Sequence, residues 1–396
     1  MYADNTVLFS ESVKELQTMI NVVNDFSNEH NLYINLSKTK IVVFRNRGNL
    51  RPDEKWFLNG NSIENCNEFL YLGLLFQHNG NFVKTQKKLS EQGRKAIFCL
   101  FSKIHNDYYN HETLLSLYDT YVGSILNYGC ELWGHHTAPD IEKVHLYFLK
   151  RILKVRKSTI NNMVYCELGR LPMYVERQYR MVKYWIKLLH SENCILKACY
   201  NEMFENSYVR PNDKLNWCCK IRDILCRYGF NYIWLSQNVC NVELFLLQFK
   251  QRIVDIFISE VNGFFETSSK CIFYKHIYSN HALQYYLDRP VNYIYKPYIT
   301  RYRICAHNLN IETGRFYKID RCARLCTNCD HRAIEDEYHF ILECPKYVDI
   351  RNKYIKTYYW KRPSSFKLVQ LLSVRNLKEL NNLGKYLKLA ERLRSF

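Results

Sequence analysis

Four residues near the end of the chain, Cys326, Cys329, His339 and Cys344, constrain it more than any other feature, because they stand in the spacing Cys-x2-Cys-x9-His-x4-Cys. Two thiols three positions apart can turn back around one ion. The acidic and apolar run from Ile334 to Leu342 then brings His339 and Cys344 in from one side. A tetrahedral Cys3His zinc site uses this ligand set, and structural zinc sites are closed by four such protein ligands. The competing reading is a packed region with reduced thiols, since free Cys is commonly buried. Cys322 and His331 lie near enough to stand in for a ligand.

The rest of the chain frames that cluster with positive charge. Lys and Arg number 56 against 38 for Asp and Glu, a net charge of +18 at pH 7, which points to a polyanionic partner: nucleic acid or an acidic membrane surface. The 32 Tyr and 22 Phe add rings that suit stacked bases, although most must be core. Sixteen Cys without a repeating framework, and an N-terminus that does not read as a signal peptide, imply a reducing compartment, nucleus or cytoplasm. Apolar runs such as Val239 to Phe249 are too short or interrupted to span a bilayer, so no membrane partner is expected.

Periodicity predicts an α+β fold that is mostly α-helical. A capping box at Ser12 and Glu15 precedes an amphipathic helix through Leu16, Ile20 and Val23 that ends near Asn31. Lys40–Phe44 and Phe69–Leu74 read as strands and Phe57–Ile63 as a tight hairpin, giving a small antiparallel sheet under one helix. From Val83 the pattern is helical for some two hundred residues, with basic faces at Lys84, Lys87, Lys88, Arg94 and Lys95 and again at Lys150, Arg151, Lys154, Arg156 and Lys157. Gly and Pro punctuation divides the chain into 1–80, 81–150, 151–300, 301–360 and a helical tail 361–396. Arg301, Arg303, His307, Arg315, Arg321 and Arg324 lead into the cysteine cluster. Guanidinium forks can grip phosphates bidentately, which predicts a nucleic-acid surface there, against the alternative of ion pairs with Glu312 and Asp320.

Several segments together resemble the reverse transcriptases of LINE-type non-LTR retrotransposons. Tyr2-Ala3-Asp4-Asn5 looks like the YADD box of the palm, and Asn35 with Ser37-Lys38-Thr39-Lys40 like the N-x-x-K-T-K segment after it. Phe69-Leu70-Tyr71-Leu72-Gly73 resembles the primer-grip strand, which makes Tyr71 and Gly73 candidate nucleic-acid contacts. The stretch around Leu117, Tyr128-Gly129 and Trp133 is similar to the thumb, Glu167-Leu168-Gly169-Arg170-Leu171-Pro172 to a helical segment beyond it, and the Cys-Cys-His-Cys cluster to the C-terminal zinc knuckle.

The resemblance implies a partial palm at 1–80, a thumb at 81–150, a basic linker at 151–300 and an Arg-rich zinc region at 301–360. It also implies nucleotidyl transfer by two divalent metals. Asp4 would be one Mg2+ ligand; Asn5 stands where the family has its second Asp and offers only a neutral oxygen. Lys38 or Lys40 would protonate the leaving pyrophosphate. The family's earlier palm strand, with its own catalytic Asp, would lie before residue 1. The expectation is therefore a truncated retroelement polypeptide that binds RNA or DNA and does not polymerise alone. One alternative is an active RNA-directed DNA polymerase whose N-terminal part is missing from the gene model, and another is a zinc-dependent interaction protein without enzymatic activity.

Overall fold

The computed structural model describes residues 6–45, 48–104 and 109–394, so Asp4 and Asn5, with the Mg2+ reading they carry, lie outside the described residues. Helix α1, Val13–Glu29, starts where Ser12 Oγ accepts from the Glu15 backbone N–H at 3.2 Å, one of the cap bonds that a helix start needs. Its apolar face supplies Ile20 to a small core with Ile41, Trp56, Leu58 and Ile63. Trp56 Nε1 donates to the Val13 carbonyl at 3.1 Å, tying the hairpin to the helix.

The expected antiparallel sheet is instead three separate two-stranded pairs. Strand β1, Lys40–Ile41, runs parallel to β4, Glu64–Asn65; β2, Phe57–Leu58, pairs antiparallel with β3, Asn61–Ser62; and β5, Glu68–Tyr71, pairs antiparallel with β6, Leu74–Gln77. Side chains take over ladder bonds that a wider sheet would make. The Gln17 amide donates to the Phe57 carbonyl at 2.8 Å and accepts from the Phe57 N–H at 2.9 Å, as a neighbouring strand would.

The strand expected over Phe69–Leu74 is broken in two by a turn at Leu72 and Gly73, whose φ angles are 46° and 84°. Two consecutive positive φ values match the right-handed twist of a hairpin. Leu72 is an unusual residue for that region. Tyr128 compensates: its hydroxyl donates to the Leu72 carbonyl at 2.7 Å, and its ring lies 3.1 Å from where a Cβ on Gly73 would stand. Gly73 is therefore a turn residue, and Tyr71 pairs across the hairpin with Leu74.

From α2, Val83–Lys103, onward the regular elements of the described chain are helices, joined by loops and two isolated β-bridges. One large core joins residues between Leu89 and Met173 to residues between Phe257 and Ala390, so the positions near 150 and 300 chosen from punctuation both fall inside it. A second core gathers residues between Val175 and Ile253, within the 151–300 stretch that the sequence leaves as a basic linker.

The helix Val242–Thr267 connects the two cores. It buries Phe245, Phe249, Ile253, Phe257, Val261 and Phe265, every fourth residue. Four residues turn through about 400°, so such a stripe advances by about 40° per step and about 200° over the helix. Phe245, Phe249 and Ile253 consequently face the second core while Phe257, Val261 and Phe265 face the first. Among the described residues no helix is long and apolar enough to cross a membrane.

Candidate metal centre and basic cleft

The four cluster residues converge. One ligand atom from each of Cys326, Cys329, His339 and Cys344 lies within 4.8 Å of every other, and three of the four residues are buried. The group can hold a metal ion. Cys322 and His331 are exposed and stand outside this set of four.

Two local structures present the ligands. An antiparallel bridge pairs Leu325 with Ile334, with Cys326 N–H donating to the Ala333 carbonyl at 2.8 Å and Glu335 N–H to the Arg324 carbonyl at 2.9 Å. Cys326 and Cys329 thus sit at the bend of a small knuckle. The second pair rides on a π-helical turn, His339–Glu343. Asp336 Oδ1 accepts from the His339 N–H at 2.9 Å at its start, and the Cys344 N–H returns to the His339 carbonyl at 2.8 Å at its end. Residues five apart diverge by about 140° on an α-helix; the wider turn brings them nearer one side, so the His-x4-Cys spacing becomes a ligand pair.

His339 is oriented by its surroundings. Nε2 lies 3.4 Å from Cys329 Sγ, inside the cluster, while Nδ1 points the other way, 3.7 Å from Glu343 Oε2. The Glu343 carboxylate acts on the ring from behind through its charge, while Nδ1 itself has no hydrogen-bond partner. Burial pushes the Cys326 thiol up and lowers His339. Burial, with the nearby Cys326 and Cys329 sulfurs, pushes Cys344 up to about 12. Thiols with raised pKa values surrender their protons when a cation takes their place, so metal uptake releases protons.

A polar frame that the sequence does not flag supports the centre. Glu335 is buried and accepts from Arg394 Nε and Nη2, each at 2.7 Å, from the Asn310 N–H at 2.8 Å and from Asn328 Nδ2 at 3.2 Å. Arg351, also buried, donates to the carbonyls of Ile341 and Cys344 at 2.8 Å each, satisfying the end of the π-helical turn. An Arg near a cysteine cluster could have suggested such a support, but its partner could not be read from spacing.

The six residues expected to grip phosphate have different fates. Arg303 and His307 are buried, which corrects the expectation for both. Arg303 pairs with Glu167 at 2.5 Å, and His307 Nε2 lies 2.7 Å from Glu337 Oε1. Long-range packing supplies their carboxylates, and a charge can be kept inside only with such partners.

Arg315 is held by Glu312 and by the Ser269 hydroxyl and carbonyl, and Arg324 bridges the carbonyls of Ile319 and Ile311. Arg321 is exposed. Arg301 pairs with Glu391 at 3.1 Å and reaches a cleft. In the N-terminal region Lys38 is exposed and Lys40 forms an ion pair with Glu64.

That cleft, about 290 Å³, joins distant basic segments. Lys154 and Arg156 follow the helix Pro139–Ile152, and Arg301 lies on the helix Lys296–Arg303 across from them, with Glu391 as the acidic member. Arg156 Nη2 donates to the His307 carbonyl at 3.2 Å. His307 also lines the cleft and reaches Glu337, two positions before His339, so one buried contact links the cleft to the segment that carries the second ligand pair. Comparison with known proteins finds no matching family model, no matching curated protein and no matching solved structure.

Proposed function

We propose that this chain is a nucleic-acid-binding polypeptide of the reverse-transcriptase type, in which zinc held by Cys326, Cys329, His339 and Cys344 staples a basic surface into shape. The observation that carries the reading is the convergence of Lys154, Arg156 and Arg301 on one cleft, which His307 links through Glu337 to the segment bearing His339. A net charge of +18 gives the same surface a long-range attraction for polyanions.

Zinc is favoured over harder cations because three thiolates and one imidazole are soft and borderline ligands. Tetrahedral bonds of about 2.3 Å to sulfur and about 2.0 Å to nitrogen put neighbouring donor atoms about 3.5–3.8 Å apart. The 3.4 Å between Cys329 Sγ and His339 Nε2 and the 4.8 Å limit on the whole set leave only small side-chain adjustments. Four protein ligands leave no open position for chemistry, so the ion is structural.

The test is fluorescence anisotropy of the purified, zinc-loaded chain with labelled single-stranded RNA and DNA at several salt concentrations. Binding is expected at low salt, and its logarithm should fall with log salt at about 0.7 per phosphate neutralised. Absence of binding at low salt overturns the reading, and salt-independent binding to a defined partner protein favours a zinc-dependent interaction protein. Primer extension with Mg2+ is expected to stay at the level of an Asp4→Ala control; incorporation above that control replaces the inactive reading with an active polymerase.

A further inference from the structure

A second cavity, about 530 Å³, lies beside the cleft and shares Lys154 with it. Two helix starts line it: Asn110 and His111 at the beginning of α3, His111–Tyr118, and Lys296 at the beginning of Lys296–Arg303. At Lys296–Arg303 the first N–H groups are bonded to the carbonyls of Asn292 and Tyr295 and Pro297 has none, so that end contributes its dipole and the Lys296 side chain and no free donors.

The side chain of His111 lines the cavity as well, at 9% exposure, and its Nδ1 has no hydrogen-bond partner. A buried imidazole nitrogen without a partner carries a desolvation cost that a ligand can relieve. Lys296 donates to the Leu287 carbonyl at 2.7 Å, and among the described residues no carboxylate oxygen lies within ion-pair distance of it. Arg289 adds a further cation at the rim; Asp288, 3.7 Å from Arg289, is the acidic group lining the cavity. Tyr109 and Tyr293 also line it and are 44% and 52% exposed.

We infer that this cavity seats one phosphate group of a single-stranded nucleic acid, with Lys296 and His111 on its oxygens and Tyr109 and Tyr293 stacking the adjoining bases. The carrier of the phosphate rests on the nucleic-acid reading above; the anion site itself does not. Burial, followed by the charge of Lys296, holds His111 down at about 4, so at neutral pH it is an uncharged imidazole able to donate one N–H. Burial also lowers Lys296, against the pull of Asp288, and a phosphate beside it would add a second, closer counter-charge. Exposed rings next to a cationic floor give a strand a place for bases as well as backbone, with no demand on base identity.

The experiment uses the full zinc-loaded chain with two probes, a labelled single-stranded oligonucleotide and inorganic phosphate, and two variants, Lys296→Met and Tyr293→Ala. Tyr293 is exposed, so its variant keeps the test open if Lys296→Met fails to fold. Each variant is expected to weaken oligonucleotide binding about tenfold, the size of one charge-assisted bond or one stacked base. Inorganic phosphate should shift the His111 imidazole signals in 1H–15N spectra, and Lys296→Met should abolish that shift. If both variants bind oligonucleotide and phosphate as the parent does, the inference is overturned. If the parent binds no oligonucleotide while phosphate still moves His111 in a Lys296-dependent way, the phosphate site stands, and the nucleic-acid carrier is what fails.

Discussion

Arg303 Nε donates to Glu167 Oε1 at 2.5 Å across 136 positions of sequence, with both side chains buried. The other Arg303 nitrogens reach the Leu372 carbonyl and Gln284 Oε1, and the Tyr274 hydroxyl donates to Glu167 Oε2 at 2.9 Å. One ion pair thus ties the helix Asn161–Leu168 to segments on both sides of the helix Lys296–Arg303.

Removing Arg303 leaves the Glu167 carboxylate buried without its counter-charge. Arg303→Ala is expected to cost about 3–5 kcal/mol in urea denaturation, and pairing Arg303→Met with Glu167→Met should recover much of it. Parental stability in Arg303→Ala would show that the pair is not a core pin. The refolded variant should keep its oligonucleotide affinity, because this guanidinium does not face the cleft.

Native mass spectrometry is expected to find one zinc per chain, lost in Cys329→Ser and retained in Cys322→Ser and in His331→Ala. Chelation should raise hydrogen exchange over 322–345, since metal-binding free energy is folding free energy in such knuckles. Retention of full stoichiometry in Cys329→Ser would sink the four-ligand assignment.

Burial raises the pKa of Glu391, against the pull of Arg301, inside the basic cleft. The sign follows from the charge. As pH falls through this titration the carboxylate becomes neutral, the cleft gains positive charge and nucleic-acid binding strengthens. Glu391→Gln is expected to bind more tightly than the parent near neutral pH, with the difference shrinking as pH falls. Parallel pH profiles measured by anisotropy would refute this.

Gly169 ends the helix Asn161–Leu168 at φ +61°, where a Cβ would stand 2.5 Å from the Ala282 carbonyl carbon and the Leu283 nitrogen. Backbone cannot yield as a side-chain tip can. Gly229 has φ +84° and nothing within 4 Å of its Cβ position. Gly229→Ala should cost about 1 kcal/mol of conformational strain, and Gly169→Ala clearly more. Equal losses in thermal denaturation would mean that the 282–283 segment can move away.

Local features were legible where the governing contacts are close in sequence. The Ser12 cap and the periodicity of Leu16 and Ile20 specify α1, and turn chemistry around Asn59 and Gly60 specifies the β2–β3 hairpin. The turn at Leu72 and Gly73 was missed because Tyr128, which holds it, lies far along the chain. The second core was missed because a stripe of every fourth residue on Val242–Thr267 reads as one face, although it winds from one core to the other.

By itself the sequence determined the basic balance of the chain, its mostly helical character and the Cys326, Cys329, His339, Cys344 cluster. Those ligands lie within one short loop, where spacing and turn geometry suffice to bring them together. Only the tertiary structure decided which cations face solvent. It set Arg303 against Glu167 and turned Lys154, Arg156 and Arg301 toward one cleft. The reason is physical: a buried cation is tolerable only beside a carboxylate, and packing between remote helices determines where that carboxylate stands.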